Sequence, residues 1–303
     1  MSATCLFLGT CFSQVVWELQ LCYKFTWRDI PVAVVAGCAF TLTAAKHHGY
    51  SPMDCVALVP WTLFYFCLYL YPFNLCNQIT GVEEDRVDKP DRPIPSGLLT
   101  LREAKYRWCV VTALYVLASI TIGNVWSSFL WITVTLMLCY GGWDKHWFTK
   151  NCVAMTLGTL VIGWAAWSIV SGSPWMGESY AVFTGVLSLY AGITGNLQDL
   201  RDVQGDQKCG RMTMPVHFGM SASRRILSVV FLIAPVILYF TIWSPRLQPA
   251  TVFKVVYISA AVLLHLLVAL RLFYLDCTYS DLHRTYHFFT KTIPFTISSA
   301  FMF

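Results

Sequence analysis

The sequence predicts an all-α, polytopic membrane protein, and composition and patterning both support this. Apolar residues make up 56% of the 303 residues and charged residues only 12%, about half of the roughly 25% that is usual in soluble proteins. The apolar residues also fall in runs long enough to cross a bilayer as helices. No linker or composition shift divides the chain, so residues 1–303 are expected to form a single domain.

The apolar runs predict about nine transmembrane helices in a single bundle around a central cavity. Each run approaches the roughly 20 residues that a membrane-spanning helix needs. They lie near residues 30–48, 53–79, 103–121, 124–143, 151–171, 178–198, 222–243, 250–274 and 284–303. Residues 1–28 are apolar but lack the basic start and the small-residue cleavage site of a secretory signal. We therefore expect them to form an interfacial segment that lies against membrane lipid.

The distribution of lysine and arginine predicts the orientation of the bundle. Most of these residues lie in the loops that share one side with the N-terminus, and the opposite side holds only Lys46, Arg246 and Lys254. Such asymmetry is typical of loops that face the cytosol. The net charge of +5 therefore reflects topology, and no basic tail or RNA-reading motif indicates a nucleic-acid partner.

An acidic motif follows the sixth predicted helix. Asp199, Asp202 and Asp206 are spaced +3 and +4, which would place the three carboxylates on one helix face. Carboxylates so close together repel one another unless cations lie between them. Mg²⁺ suits such a site, because it binds a few carboxylates together with phosphate oxygens and water. Lys208 and Arg211 lie nearby and are candidate ligands of those phosphate oxygens.

A second acidic stretch follows helix two. Asn77, Gly81 and Asp85 are spaced +4 and +4, and Glu84 lies +7 from Asn77, so Asn77, Glu84 and Asp85 are candidate ligands of one metal ion. Arg92 follows in a proline-stiffened loop. Either motif alone would also describe a solvated turn rich in ion pairs. Two such motifs, each at the end of an apolar helix, favour one shared site.

The helices that end in these motifs predict an apolar chamber. On helix two the face above Asn77 is aromatic and carries Phe66, Tyr69 and Phe73. On helix six the face above Asp199 is small and carries Ala191, Gly192 and Gly195. Helix four ends near Tyr140 and Lys145, which are candidates for the same polar site, although a lysine there is also typical of a membrane anchor.

These motifs resemble those of the UbiA-type intramembrane prenyltransferase superfamily. The stretch DLRDVQGD, followed by Gly210, Arg211, Thr213 and Pro215, is similar to the family's DxxDxxxD with its GRxTxP tail. In the first motif the similarity covers Asn77, Asp85, Arg92-Pro93 and Ser96-Gly97, and Tyr140 and Lys145 resemble the family's Tyr…Lys pair. The similarity extends from about Leu21 to the C-terminus. It implies nine helices and a prenyl diphosphate bound through Mg²⁺.

The first motif also departs from the family pattern. Gly81 stands where an Asp is usual, Gln78 stands where another Asp is common, and Gly195 stands where many members have Tyr. The resulting NQITGVEED is similar to the motif of the fungal UbiA-type membrane terpene cyclases. Those enzymes ionise a prenyl diphosphate and close its own chain into rings without an aromatic acceptor.

The resemblance implies a Mg²⁺-dependent terpene cyclase that acts on a linear substrate, farnesyl or geranylgeranyl diphosphate. The implied metal and catalytic residues are Asn77, Glu84, Asp85, Asp199, Asp202 and Asp206. Residues expected to offset the diphosphate charge are Arg92, Lys145, Lys208 and Arg211. Phe66, Tyr69, Phe73 and Tyr140 are expected to line the cavity. An endomembrane location, in the endoplasmic reticulum, is expected by the same resemblance, and the sequence does not indicate an oligomeric state.

Two alternatives remain open on the sequence. An aromatic prenyltransferase would use the same ionisation and pass the prenyl group to a phenol, an indole or a quinone precursor. A transporter with an acidic ion path belongs to a different class, and the lack of mid-span carboxylates in helices two and six argues against it.

Overall fold

The computed structural model describes residues 3–244, 251–274 and 278–302, and within these ranges the chain is helical. No β-strand occurs there apart from an isolated bridge between His146 and Met212. The all-α prediction is therefore confirmed. Arg246, one of the basic residues used to predict orientation, lies outside the described residues.

Thirteen helices follow one another along the described residues, and a helix covers most of each predicted segment. Nine long helices match the nine predicted segments, α1 precedes them, and three short helices lie near the acidic motifs. Their bounds are α1 Ala3–Thr26, α2 Pro31–His47, α3 Pro52–Thr80, α4 Val82–Asp88, α5 Leu101–Thr121, α6 Val125–Cys139, α7 Phe148–Ser171, α8 Glu178–Thr194, α9 Val203–Lys208, α10 Met214–Phe218, α11 Met220–Trp243, α12 Val252–Tyr274 and α13 Tyr279–Met302.

Fewer of these helices qualify as membrane spans than the sequence predicted. Among the described residues, four are both long and apolar enough to cross a bilayer, namely α3, α7, α11 and α12. Residues 13–26 of α1 and the whole of α2 qualify together as a fifth span, bent by 88°. Helix α6 is apolar but has only 15 residues, and α5 and α13 begin with charged turns. Nine spans are therefore not confirmed, and the interfacial position of α1 stays a prediction.

Local signals fix where the helices that carry the site begin. Ser51 and Asp54 form a reciprocal capping box at the start of α3, where Pro52 occupies the first turn. Thr100 and Glu103 form the same arrangement at the start of α5. Each box satisfies backbone N–H groups that the helix itself cannot pair. Helix α3 runs from this capping box to Thr80, so Asn77 lies in its last turn.

Close helix contacts explain why two residues expected in the cavity lie elsewhere. Phe66 is fully buried, and its ring occupies the space where a side chain on Gly37 of α2 would be. Gly192 of α8 packs in the same way against Thr156 of α7. Small residues let membrane helices approach closely, so both positions serve the α2–α3 and α7–α8 interfaces. Neither residue lines the cavity, and the prediction of their location was wrong.

Candidate active site

A cavity of about 1300 Å³ opens between the loops that follow α3 and α8. Its rim is polar and includes Asn77 and Glu84 from the first motif and Asp202 and Asp206 from the second. Its deeper walls come from α2, α3, α6, α7 and α13 and are largely apolar. The two acidic motifs, more than a hundred residues apart in the chain, therefore converge at one end of one chamber.

Arg211 connects the two motifs. Its Nη1 atom lies 2.8 Å from Glu84 Oε1 and 3.7 Å from Asp206 Oδ1, and its Nε lies 3.2 Å from Asp144 Oδ2. Burial alone would lower the pKa of Arg211, but the neighbouring carboxylates outweigh it and the pKa is raised. One guanidinium thus holds three carboxylates that come from three separate parts of the chain.

Backbone contacts place Arg211 at this position. Gly210 has a φ of +67°, a left-handed conformation that glycine adopts without strain. The turn brings the Arg211 N–H within 2.8 Å of the Asp206 carbonyl oxygen. Met212 N–H then donates to Lys145 O at 2.7 Å, and Trp147 N–H donates to Met212 O at 3.0 Å. The loop after α9 is therefore joined to the loop between α6 and α7, which carries Asp144.

Asp199 is held by two residues that the sequence analysis did not single out. Its carboxylate is completely buried, Lys150 Nζ lies 2.7 Å from Oδ1, and Asn151 Nδ2 donates to Oδ2 at 2.7 Å. Both partners lie in the first turn of α7. Lys150 lines the cavity whereas Asp199 does not, so the lysine lies between this carboxylate and the chamber. A lysine at the start of a span is typical of a membrane anchor, so Lys150 does not stand out in the sequence as a site residue.

Asp85 and Asp206 are buried carboxylates on the rim. Asp85 is 2% exposed and forms a two-pronged ion pair with Arg92, at 2.7 and 2.8 Å. Burial raises the pKa of Asp85, although Arg92 acts in the opposite direction. Burial likewise raises the pKa of Asp206, whose Oδ2 atom has no hydrogen-bond partner among the described residues. Such an orphaned oxygen is costly unless a ligand satisfies it.

The predicted helix face with three carboxylates is not formed. Asp199 lies in the 3₁₀ turn Gly195–Leu200, Asp202 precedes α9, and Asp206 lies within α9. Asp202 is turned to Arg201, with Nε and Oδ1 3.3 Å apart. The break separates charges that would repel one another on a continuous helix. In the first motif α3 ends at Gly81, so Asp85 lies on the separate helix α4.

The six predicted metal ligands do not converge on one point. Among the described residues, no three His, Cys, Asp or Glu side chains are placed to hold a single metal ion. Lys150, Arg92 and Arg211 offset the carboxylate charge instead. Mg²⁺ is nevertheless commonly held by one or two carboxylates with phosphate oxygens and water. The oxygen donors at the rim, including the unpartnered Asp206 Oδ2, fit that chemistry.

Of the remaining polar residues predicted for the site, two line the cavity and one does not. Lys145 and Tyr140 lie on the rim, and both are exposed. Lys208 is exposed on α9 and does not line the cavity. Its position gives no support to a role in binding diphosphate, because the short helix α9 presents Asp206 to the chamber and Lys208 to the outside.

Tyr69 and Phe73 form an aromatic wall together with Trp131 of α6, which the sequence analysis missed. The rings of Tyr69 and Trp131 are stacked with centroids 4.6 Å apart, and Phe73 lies 5.2 Å from Trp131. Trp131 Nε1 donates to Tyr69 O at 3.0 Å, and the Tyr69 hydroxyl donates to Gly158 O at 3.1 Å. These hydrogen bonds fix the ring orientations. Small residues also line the cavity, including Ala33, Ala36, Ala191 and Gly195.

Comparison with known proteins identifies the family. The UbiA prenyltransferase family matches residues 32–292. The diterpene cyclase eriG of Hericium erinaceus is 35% identical over 72% of this chain and 70% of its own length. The polyprenyl transferase eriF of the same organism is also 35% identical, over 73% of this chain and 76% of its own.

The fold comparison agrees. A UbiA homologue from Archaeoglobus fulgidus, solved with GPP and Mg²⁺, superposes with a TM-score of 0.58 at 14% identity, covering 92% of this chain and 99% of the other. At that identity the likeness shows the fold alone, whereas the family match extends over most of the sequence. The chain therefore belongs to the UbiA prenyltransferase family and is an integral membrane protein.

Proposed function

We propose that the protein is a Mg²⁺-dependent membrane terpene cyclase that ionises linear farnesyl or geranylgeranyl diphosphate and cyclises it with release of diphosphate. The observation that carries this proposal is the arrangement of the cavity. A rim of paired acidic and basic side chains lies directly above an aromatic chamber without charged groups on its deeper walls. A diphosphate fits the rim and a folded isoprenoid chain fits the chamber.

The basic residues on the rim are suited to bind the diphosphate. Arg92, Lys145, Lys150 and Arg211 all line the cavity, and cationic side chains form short, strong hydrogen bonds to phosphate oxygens. The same groups stabilise the charge that develops on the leaving diphosphate. Mg²⁺, when bound, would add Lewis-acid stabilisation of that charge, with oxygen donors from the cavity-lining residues Asn77, Glu84, Asp85, Asp202 and Asp206. Asp199, which faces Lys150 and not the cavity, would hold that lysine in position.

The chamber is suited to the carbocation that ionisation leaves behind. Tyr69, Phe73 and Trp131 line the cavity as one aromatic cluster, and each favourable cation–π contact contributes about 0.5–2 kcal/mol. Exclusion of water from the apolar walls protects the cation from quenching. An internal alkene of the same chain can then attack the cationic carbon and form the ring.

An aromatic prenyltransferase is the second candidate, and one specific observation favours it. The relatives that match at 35% identity include a polyprenyl transferase as well as a diterpene cyclase. Ionisation at the rim would be the same in both reactions. The cyclase is preferred because Gly81 replaces the usual Asp in the first motif, as in the fungal cyclases that this motif resembles.

For either enzyme we propose an endoplasmic reticulum membrane with the rim facing the cytosol.

The deciding experiment uses membranes that contain the protein and supplies no acceptor. Farnesyl and geranylgeranyl diphosphate are added separately with Mg²⁺, and diphosphate release and cyclic products are measured. A cyclase gives hydrocarbon or cyclic alcohol together with stoichiometric diphosphate. Release that occurs only after a phenol, indole or quinone precursor is added would instead establish a transferase. Asp206→Asn membranes serve as the control for background hydrolysis.

A further inference from the structure

Seven acidic residues among those described line the cavity. They differ in whether they form an ion pair. Six form an ion pair with an arginine: Glu83, Glu84, Asp85, Asp144, Asp202 and Asp206. The seventh is Asp29, which forms no ion pair with any described residue. It also lies outside both acidic motifs. A cavity-lining carboxylate without a paired cation is free to exchange a proton with a bound molecule.

Asp29 lies in the turn between α1 and α2, near the side-chain amide of Asn74. Asn74 is 3% exposed and donates to Phe25 O at 3.1 Å, which anchors the amide to α1. Burial raises the pKa of Asp29, while the charge of Arg92 and the nearby Asn74 amide act in the opposite direction. The ionised carboxylate is therefore a better proton acceptor than an ordinary exposed Asp.

Asp29 also continues the apolar wall of the chamber. Val32, Ala33 and Ala36 line the same cavity and lie at the start of α2, directly after the turn that carries Asp29. The carboxylate therefore borders an aliphatic stretch of the cavity wall. A prenyl chain bound below the rim would pass beneath it.

We infer that the Asp29 carboxylate takes the proton that ends the cyclisation, an inference that rests on the proposed cyclase function. In this step a C–H bond next to the cationic carbon breaks. Its electron pair forms the new C=C bond, and the proton passes to a carboxylate oxygen of Asp29. The resulting carboxylic acid returns the proton to water at the open end of the cavity. Protonating any of the other six carboxylates would instead disrupt an ion pair with arginine.

The test compares Asp29→Asn with the wild type in purified membranes containing Mg²⁺ and no acceptor. Diphosphate release and the product profile are measured in the same reactions. Because ionisation precedes the proton loss, Asp29→Asn should release diphosphate within about tenfold of the wild-type rate. The main hydrocarbon should fall to less than about half of total product, replaced by alcohols or double-bond isomers, since the acceptor is missing. Asp29→Glu keeps the carboxylate and should retain mostly hydrocarbon.

Asp91→Asn is the matched control, because Asp91 is exposed, pairs with Arg28 and does not line the cavity. Its product profile should equal that of the wild type. An unchanged profile in Asp29→Asn would overturn the inference and assign the proton to another acceptor, such as the released diphosphate. Equal loss of release and of every product in Asp29→Asn and Asp29→Glu would overturn it in favour of a structural role. A wild-type protein that releases no diphosphate without an acceptor overturns the proposed function itself, before any variant is compared.

Discussion

Arg211 shows most clearly how single residues build the site. Its guanidinium contacts Glu84, Asp144 and Asp206, so one side chain joins both acidic motifs to the loop between α6 and α7. Among the described residues, seven acidic and seven basic side chains line the cavity, so their charges balance before a ligand binds. A bound diphosphate would add negative charge, which is consistent with the proposed binding of Mg²⁺ together with it.

Replacing Arg211 should therefore affect both the site and its chemistry. In Arg211→Gln the three carboxylates lose their shared cation, and we expect diphosphate release to fall by about 10²–10³-fold. Arg86→Gln is the control, because Arg86 is exposed and, among the described residues, its ion pair is with the exposed Glu83. Release is measured at saturating substrate, together with protein yield in detergent. Wild-type release by a well-folded Arg211→Gln protein would refute this role.

Lys150 and Lys145 provide a second comparison at the residue scale. Lys150→Met would leave the fully buried Asp199 without its cation, and breaking such a pair costs about 3 kcal/mol or more. The free energy of unfolding should fall accordingly, and adding Asp199→Asn should restore part of it. Lys145 forms no ion pair among the described residues, so Lys145→Met should change stability little. Thermal unfolding in detergent measures both, and equal effects at the two positions would contradict the assignment.

The sequence predicted the acidic residues of the rim better than their partners. Asp85, Asp202 and Asp206 stand out because carboxylates at the end of an apolar helix are unusual. Lys150 does not, since a lysine at the start of a span has an ordinary explanation. Trp131 is one of 12 tryptophans. Its position in the cavity depends on how α6 packs against α3, which residue spacing within one helix does not determine.

The positions of the helices could be predicted from the sequence, but the points where a helix is interrupted could not. Each predicted apolar segment contains a helix, because long apolar runs have few other stable conformations in lipid. The prediction that Asp199 and Asp206 share one helix was wrong, since the chain passes through a 3₁₀ turn and restarts at α9. The ion pairs with Lys150 and Arg211, formed across the fold, stabilise that break, and they are not visible in the local sequence.

The close contact between Gly158 of α7 and the aromatic wall predicts the effect of moving these helices apart. A Cβ atom on Gly158 would lie 2.7 Å from the Trp131 ring and 3.1 Å from the Tyr69 hydroxyl. Gly158→Ala should therefore displace the aromatic wall, lower stability by about 1–3 kcal/mol and alter the product profile.

Gly185→Ala on α8 is the matched control, because nothing lies within 4 Å of its added methyl group. This variant should be neutral or slightly stabilising, since glycine costs a helix about 0.5–1 kcal/mol relative to alanine. Thermal unfolding and product analysis are carried out on both proteins. A Gly158→Ala protein with wild-type stability and products would show that the wall tolerates the displacement.

For the whole molecule, convergence of distant segments is the main result. The family match and the fold agree that the chain is an integral membrane protein of the UbiA type. The orientation and the number of spans could not be derived from helix length alone, because α5, α6 and α13 are too polar or too short to qualify by themselves. In the bundle α5 packs against α3 and α6, α6 packs against α7, and α13 packs against α2 and α12.

Orientation can be measured with glycosylation acceptor sites, which are modified only in the lumen of the endoplasmic reticulum. An Asn-Gly-Thr insertion after Trp175, which is exposed between α7 and α8, should be glycosylated. The same insertion after Lys208, at the end of α9, should not be. Modification of the second site, with the first unmodified, would reverse the proposed orientation and place the rim in the lumen.

The most direct test of the central claim is a double-mutant cycle between the two acidic motifs. Asp85→Asn, Asp206→Asn and the double variant are compared for Mg²⁺-dependent diphosphate release. Residues that act together on one group have strongly non-additive effects. If both motifs hold one diphosphate, the double variant should be within about tenfold of the slower single variant. A double variant whose loss equals the product of the two single losses would mean that the motifs act independently, and would contradict a shared site.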